Sequence, residues 1–224
     1  MENVNQWCFA WFEASQAAGQ NRAGLWLASR WIPGATITIS FLDGDPALHA
    51  RVASVAQQWV APGRANLFFD FRTDTRKTHI RISFAQEGSW SVLGNTCLRI
   101  PDGEPTMNFG WLKAESSSAE LERVVLHEFG HALGLVHEHQ LPAAGIQWDK
   151  PAVYADLEPK WSREKIDRNL FATVDPAEAA MTNLDPQSIM LYPIKKSWTL
   201  NGFSSGLNGR LSPVDLAFIR NIYS

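Results

Sequence analysis

Residues 127–137 read HEFGHALGLVH, and this stretch decides both the fold class and the chemistry of the chain. His127 and His131 are four residues apart, so on a helix they lie one turn apart on the same face and can reach one metal ion. Gly134 can take the left-handed conformation that ends a helix, which would bring His137 back as a third ligand. Three neutral imidazoles with an open fourth position are typical of a catalytic zinc site. The stretch therefore predicts one Zn2+ ion held by these three histidines.

Glu128 follows the first histidine and is close enough to take a proton from a zinc-bound water. HExxH alone also occurs by chance in helices whose histidines are merely solvated, but the added glycine and third histidine leave little room for chance. Four of the six histidines fall between His127 and His139. We interpret His139 as a neighbour of the ligands or a surface residue, and His49 and His79 as structural or exposed.

Length and composition are those of a single catalytic domain. The chain has 224 residues, 45% of them hydrophobic and 19% charged, as is ordinary for a soluble protein with a proper core. The net charge of -3 does not support binding to nucleic acid or to an anionic membrane. No signal peptide is recognisable, and no segment approaches the length of a membrane span. We expect a soluble monomer with a peptide or protein substrate, either cytoplasmic or exported by a non-classical route.

Strands and helices precede the metal motif, and loops dominate after it. Alternating or β-branched runs predict strands at Thr36–Phe41, 66–71, 79–84 and 106–112, with a less regular one at 88–98. Asp45 caps a predicted helix, and Ser117 with Glu120 forms a capping box that opens the metal helix. Further helices are predicted at 161–170 and, after a cap at Ser212, at the C-terminus.

A second informative segment, DPQSIMLYPI, covers residues 185–194. By itself it is a buried turn in which Met190 fills a gap in the core. After an extended zinc motif, it resembles the methionine-containing turn of the metzincin metallopeptidases. Within that clan the chain most resembles the astacins, because Glu138 follows the third histidine and residues 188–192, SIMLY, are similar to the astacin SxMHY turn. Three further segments are similar to this group and its matrixin relatives: WSVLG (90–94), TMNFGW (106–111) and LSPVDLAFI (211–219).

The resemblance implies an α+β, metzincin-like zincin fold. An N-terminal mixed β-sheet with two helices would be followed by the active-site helix and a loop-rich C-terminal lobe with a terminal helix. Residues 1–32 would form an N-terminal extension, with a candidate role in latency, and residues 33–224 the metallopeptidase domain. Its upper lobe would cover residues 33–134 and its lower lobe residues 135–224.

The resemblance also implies a zinc-dependent endopeptidase. A zinc-bound water would attack the peptide carbonyl with Glu128 as general base and then acid, and Tyr192 would donate to the oxyanion. Met190 would support the metal site as the structural methionine of the turn. The substrate would pair with an edge strand by strand addition, although such a strand is also what a purely structural edge looks like. The residues predicted for this contact are Trp90, Ser91, Val92 and Leu93.

The chain departs from the astacin pattern at several positions. Leu191 replaces the histidine before the tyrosine, Leu135 stands where astacins usually have phenylalanine, and HQLP at 139–142 replaces their arginine and aspartate pattern. Astacins carry two disulfides, which the two cysteines here cannot supply. The chain therefore resembles a divergent, minimal member of the astacin group, and the substrate specificity of animal astacins cannot be assumed for it.

Cys8 has two interpretations. Some metzincins are kept latent by an N-terminal cysteine whose thiolate occupies the fourth zinc position, which makes Cys8 a candidate latency ligand. The alternative is a small buried hydrophobe in an N-terminal helix. Cys97 lies next to a predicted strand and is expected in the core.

Two other functions stay open. A zinc-binding protein-interaction module with weak catalysis is disfavoured by the presence of Glu128 and Tyr192. A non-peptidase zinc hydrolase would use the same water chemistry.

Overall fold

The fold is built around one six-stranded mixed sheet. The computed structural model describes residues 29–73, 77–158, 160–173 and 183–224, together with the backbone of residues 8–11. The strands are β1 (Cys8–Trp11), β2 (Thr36–Phe41), β3 (Phe68–Phe71), β4 (Ile80–Ser83), β5 (Ser89–Val92) and β6 (Met107–Phe109). They lie in the order β1-β5-β6-β4-β2-β3. Neighbouring strands run parallel except β5 and β6, which are antiparallel.

The central strands form where the sequence predicts them because their side chains are buried on both faces. Ile37 and Ile39 of β2 have no exposed surface, and every residue of β4 is buried. Buried strands are rich in apolar and β-branched residues, as β2 is. The one charged side chain of β4, Arg81, is buried with its guanidinium donating to main-chain oxygens such as that of Thr78. Secondary structure thus confirms the expected α+β fold.

The irregular run 88–98 differs from its predicted form. Only Ser89–Val92 is a strand, and a 3-10 helix, Gly94–Arg99, follows it. Gly94 has a φ of 51°, and a Cβ there would lie 2.0 Å from the main-chain oxygen of Ser29. The close approach of two backbones, rather than a strand irregularity, explains this glycine.

β5 is not the edge strand that the sequence predicts. β1 pairs with it in parallel, from Cys8 opposite Ser89 to Trp11 opposite Val92. β1 therefore forms this edge of the sheet, and Cys8 begins a strand rather than lying in a helix. Pairing between segments so far apart in sequence leaves no local pattern, so the sequence alone indicates β5 as the edge.

Two helices pack against the sheet. α1 (Pro46–Ala56) opens as predicted, with the carboxylate of Asp45 accepting from the backbone N–H of Ala47 at 2.7 Å. α2 (Ser118–Ala132) carries the first half of the metal motif, and Ser117 Oγ accepts from the N–H of Glu120 at 3.2 Å. The predicted capping box is formed only in this direction, because the Glu120 carboxylate bonds other side chains.

The remainder of the chain forms a smaller second core. It contains α3 (Lys150–Leu157), α4 (Arg163–Ile166), a π-helical turn (Asp167–Phe171) and several 3-10 turns. The terminal helix α5 (Pro213–Ile222) opens with a complete capping box between Ser212 and Asp215, and it packs back on the first core.

The end of α2 is fixed by two long-range hydrogen bonds. The indole N–H of Trp31 donates to the main-chain oxygen of Ala132 at 2.9 Å, and the hydroxyl of Tyr223 donates to that of Leu133 at 2.7 Å. Carbonyls in the last turn of a helix have no partner within the helix. Residues near both ends of the described structure therefore donate hydrogen bonds to the carbonyl groups at the end of α2, within the metal motif.

Candidate metal centre

The three predicted metal ligands meet at one point. His127, His131 and His137 each offer a nitrogen within 4.8 Å of the others, and all three side chains are buried. The Nε2 atoms of His131 and His137 are 3.1 Å apart. Ligand nitrogens at about 2.0–2.1 Å from one tetrahedral ion are about 3.3 Å apart, so this spacing suits a shared metal. These residues could hold a metal ion.

Each of the three imidazoles is oriented by a hydrogen bond through its other nitrogen. His127 Nδ1 lies 2.7 Å from the main-chain oxygen of Ile189, and His131 Nδ1 lies 2.7 Å from that of Leu135. His137 Nδ1 lies 3.2 Å from Oε1 of Gln140. All three acceptors are carbonyl oxygens, so Nδ1 carries the proton and Nε2 keeps its lone pair. Such outer contacts fix the tautomer that binds metals.

Burial keeps these imidazoles neutral. It lowers the pKa of His127 and His137 well below the usual value, with a further lowering from the neighbouring histidines. Burial likewise lowers the pKa of His131 to about 4. Neutral imidazole is the form that binds a metal ion. The Nε2 atom of His127 is buried and has no hydrogen-bond partner among the described residues, which fits an atom reserved for a metal.

Gly134 makes the convergence possible. Its φ is 90°, in the left-handed region, and its N–H bonds to the main-chain oxygen of His131 at 2.7 Å. The next N–H, of Leu135, returns to Gly130 at 2.9 Å. The helix therefore ends in a tight left-handed turn that brings His137 back over the preceding helical turn, as the sequence predicts.

Met190 packs directly under the metal helix. A Cβ on Gly130 would lie 2.4 Å from Met190 Sδ, so the glycine inside HEFGH allows this close approach. The backbone around Met190 is held by Asp215 of α5, whose carboxylate accepts from Ser188 Oγ at 2.8 Å and from the N–H of Ile189 at 2.9 Å. Because Ile189 also orients a metal ligand, α5 supports the metal centre indirectly.

Glu128 and Tyr192 lie beside the three histidines. Glu128 has no exposed surface and shares a cleft with His127 and Tyr192. The ring of Tyr192 is 4.3 Å from that of His137 and 6.1 Å from that of His127, centroid to centroid. One carboxyl group and one phenol therefore lie next to the three histidines.

His139 is buried, so the surface alternative is wrong and the other one, a neighbour of the predicted ligands, is confirmed. Its ring stacks on His137 at 5.3 Å and lies 4.8 Å from Tyr192. Its Nε2 donates to the main-chain oxygen of Asn169 at 2.8 Å, and the amide of Gln140 donates to that of Arg168 at 3.0 Å. Both residues thereby join the third ligand to the π-helical turn, a feature frequent at functional sites.

The other predicted residues lie apart from the cluster. His49 stacks on Phe41 at 4.1 Å, and His79 accepts from the N–H of Thr38. Cys97 is buried in the main core, and burial raises the pKa of its thiol to about 12. Cys8 begins β1, where the backbone alone is described. The four residues from Trp90 to Leu93 are all buried, with β5 between β1 and β6.

The sequence interpretation missed several supporting residues. Gln140 and Asp215 hold the metal site through contacts that join distant segments. Arg123 and Trp111 line the cleft next to His127. Only Arg123 had a detectable signal, because it lies four residues before His127 and so on the same face of the helix.

Comparison with known proteins decides the family. A solved structure of myroilysin is 43% identical to this chain and superposes on it with a TM-score of 0.82. The alignment covers 88% of this chain and 96% of the myroilysin chain. The chain belongs to the myroilysin family. A second myroilysin crystal structure is 39% identical and has a TM-score of 0.66, and the alignment covers 96% of this chain and 90% of that myroilysin chain. The α+β architecture described above is the fold of the myroilysin family.

Other comparisons add less. No protein-family model and no curated protein matches the chain. Within the part of the chain that the structure describes, no helix is both long and apolar enough to cross a membrane.

Proposed function

We propose that this protein is a zinc-dependent endopeptidase of the metzincin type. One observation carries the proposal: three buried neutral imidazoles point their Nε2 atoms at one another while their Nδ1 atoms are held from behind. A set of three histidines without thiolate or carboxylate is typical of catalytic zinc. Such a zinc ion would lower the pKa of a bound water and polarise a substrate carbonyl.

Glu128 is the proton carrier in the proposed mechanism. Its carboxyl group is buried next to the first ligand, where it can accept the proton of the attacking water. The same carboxylic acid then donates this proton to the leaving amine. Because Glu128 has no exposed surface, exchange of its proton with solvent is limited, which suits a proton shuttle.

Tyr192 is the proposed oxyanion donor, and it supports the astacin-like subtype. Its ring adjoins two of the three ligands, so a phenol at this position can reach an oxygen that develops negative charge close by. Leu191 precedes it instead of a histidine, so the turn itself is divergent.

The N-terminal segment is proposed to hold the full chain in a latent state. β1 pairs with β5 at the position where an added substrate strand would pair. A substrate that uses Trp90 to Leu93 must then displace β1. Cys8, at the start of β1, is the candidate zinc ligand of that state.

The proposed activity is tested on a protein mixture digested by the zinc-loaded chain after limited proteolysis has activated it by releasing the N-terminal segment, with new termini mapped by mass spectrometry. We expect new termini that disappear with a chelator and return with zinc. Glu128→Ala should keep its zinc and lose about 100- to 10,000-fold in turnover.

Glu122→Ala is the matched control, since Glu122 lies on the same helix and bonds Gln58 instead of lining the cleft. Parent-level cleavage by Glu128→Ala would contradict the proposed mechanism. Absence of any new termini with the activated parent would contradict the peptidase assignment.

A further inference from the structure

The cleft beside His127 continues away from the metal centre as a surface groove of about 470 Å3. Leu207 and Asn208 line both the cleft and the groove, so the two are parts of one depression. One wall of the groove is the first turn of α2, at Ala119, and the other is the segment 207–213 that leads into α5. We call this region the distal groove.

The distance from the metal centre to the distal groove can be measured along α2. Ala119 precedes His127 by eight residues, so the far end of the groove lies about 12 Å from this ligand at a rise of about 1.5 Å per residue. An extended polypeptide advances about 3.3 Å per residue. A substrate cleaved at the metal centre would therefore reach the distal groove with residues about two to four positions from the cleaved bond.

The main chain of residues 207–211 is available for hydrogen bonding along one wall of the groove. None of its N–H and C=O groups bonds to another residue that the structure describes, and the segment belongs to no helix or strand. Main-chain groups of this kind can pair with an extended peptide, as they do in strand addition. Such pairing recognises a polypeptide main chain and makes no demand on the side chains of the substrate.

This wall is fixed to the metal centre before any substrate binds. The amide Nδ2 of Asn208 donates to the main-chain oxygens of Pro186 at 2.9 Å and Ser188 at 2.8 Å, and Ser188 lies two residues before Met190. A wall held in this way does not have to be ordered by the substrate, which reduces the cost of binding. The side chain of Leu207, 50% exposed at the junction with the cleft, adds an apolar surface for the passing chain.

We propose that the distal groove binds the main chain of substrate residues about two to four positions from the cleaved bond. The inference rests on the proposed endopeptidase function and specifies its substrate class: extended polypeptides that continue well past the cleaved bond on one side. Short peptides that end before the groove lack these contacts in the transition state, so they are cleaved more slowly.

Gly209 allows the groove to be blocked without backbone strain. It lines the groove, its φ lies outside the left-handed region, and a Cβ there would meet no atom within 4 Å. Gly209→Trp therefore places a large side chain at the groove wall, and Gly209→Leu places a smaller one. Gly206→Trp is the matched control, because Gly206 has the same freedom but lines neither the groove nor the cleft.

The test uses the zinc-loaded chain after limited proteolysis has activated it, and peptides that share the residues around the cleaved bond. Each peptide is extended with alanines at one end or the other. An extension of about four residues at one end should raise kcat/KM about tenfold or more, the effect of one or two main-chain hydrogen bonds. Gly209→Trp should abolish most of this gain and Gly209→Leu part of it, while the shortest peptide is cleaved as by the parent.

Three results would overturn the inference while cleavage of the shortest peptide stays intact. They are no gain from an extension at either end, a full gain in Gly209→Trp, and an equal loss of the gain in Gly206→Trp. If the activated parent cleaves no peptide of the series in a zinc-dependent way, the proposed function itself is wrong.

A binding measurement makes the test independent of turnover. In the Glu128→Ala background, Gly209→Trp should raise the dissociation constant of the longest peptide about tenfold and leave that of the shortest unchanged. Unfolding curves establish that the compared variants are folded. Light scattering tests another occupant, since a change of oligomeric state caused by Gly209→Trp would make the groove an interface between copies and contradict substrate binding there.

Discussion

The Nδ1 atom of His127 lies 2.7 Å from the main-chain oxygen of Ile189, the residue before Met190. This contact joins α2 to the turn that contains Met190. The N–H of the same Ile189 donates to Asp215 on the terminal helix at 2.9 Å. The orientation of the first metal ligand therefore depends on a carboxylate near the end of the chain.

Asp215→Asn should weaken metal binding without touching a ligand. Ser188 Oγ and the N–H groups of Ile189 and Ser212 all donate to this carboxylate, and an amide cannot accept all three. We expect a loss of about 1–3 kcal/mol in the free energy of unfolding. Zinc affinity, measured by chelator competition, should fall about 10- to 100-fold. Asp102→Asn, at an exposed carboxylate, is the control. Unchanged zinc affinity would show that α5 does not support the metal centre.

His137→Ala should remove most of the bound zinc, because two remaining imidazoles do not complete the site. Gln140→Ala should keep zinc but bind it about 10- to 100-fold more weakly, since His137 loses its outer hydrogen bond. Metal content and chelator competition measure both effects. Exposed Gln147→Ala should match the parent. Full zinc retention by the histidine variant would mean that the third ligand lies elsewhere.

Tyr192→Phe should lower kcat about ten- to a thousandfold with a much smaller change in KM, because in the proposed mechanism the hydroxyl is needed mainly when the oxyanion forms. The ring that contacts His137 is retained, so zinc content should not change. Steady-state kinetics on a peptide substrate gives both constants. Kinetics equal to the parent would remove Tyr192 from the mechanism.

Tyr223→Phe tests the link between the C-terminus and the metal helix. Its hydroxyl donates to Leu133, and burial raises the pKa of Tyr223 to about 12. The pKa of the tyrosine hydroxyl in the unfolded chain is about 10, so the folded protein holds the proton more tightly than the unfolded chain does. The stabilisation that follows from this difference is complete below pH 10 and is lost as the pH rises through 12. The variant should lose about 1 kcal/mol at pH 7.

The same variant should show a shallower loss of stability between pH 10 and 12 than the parent. Urea unfolding across this range measures both effects. If parent and variant lose stability equally between pH 10 and 12, titration of groups other than Tyr223 causes that loss.

Cys8→Ala tests the proposed latent state. If the thiolate of Cys8 binds zinc in the uncleaved chain, this variant should be more active than the parent before any N-terminal processing. Cys97→Ala is the control, since Cys97 lies in the core. If the parent and Cys8→Ala chains cleave one peptide equally fast, Cys8 is not a latency ligand and β1 has only a structural role.

The metal cluster could be predicted from sequence because its determinants are local. A four-residue helical spacing brings His127 and His131 together, and Gly134 reverses the chain within one turn. These effects depend on backbone geometry over fewer than a dozen consecutive residues. The strands β2, β3, β4 and β6 were predictable for a similar reason, since a run of alternating, β-branched or aromatic residues is a local signal of a strand.

Only the tertiary structure decided which partner a carboxylate or a strand edge takes when residues distant in sequence can reach it. The capping box predicted at Ser117 is half formed because the Glu120 carboxylate binds Arg123 and Trp111, and the latter belongs to another segment. β5 is internal because β1 pairs with its free edge, and backbone pairing of this kind carries no side-chain signature. The sequence by itself determined which residues can bind the metal. The packing of distant segments decided how those residues are oriented and what lines the cleft beside them, because a hydrogen bond or strand pairing depends on position in space and not on spacing along the chain.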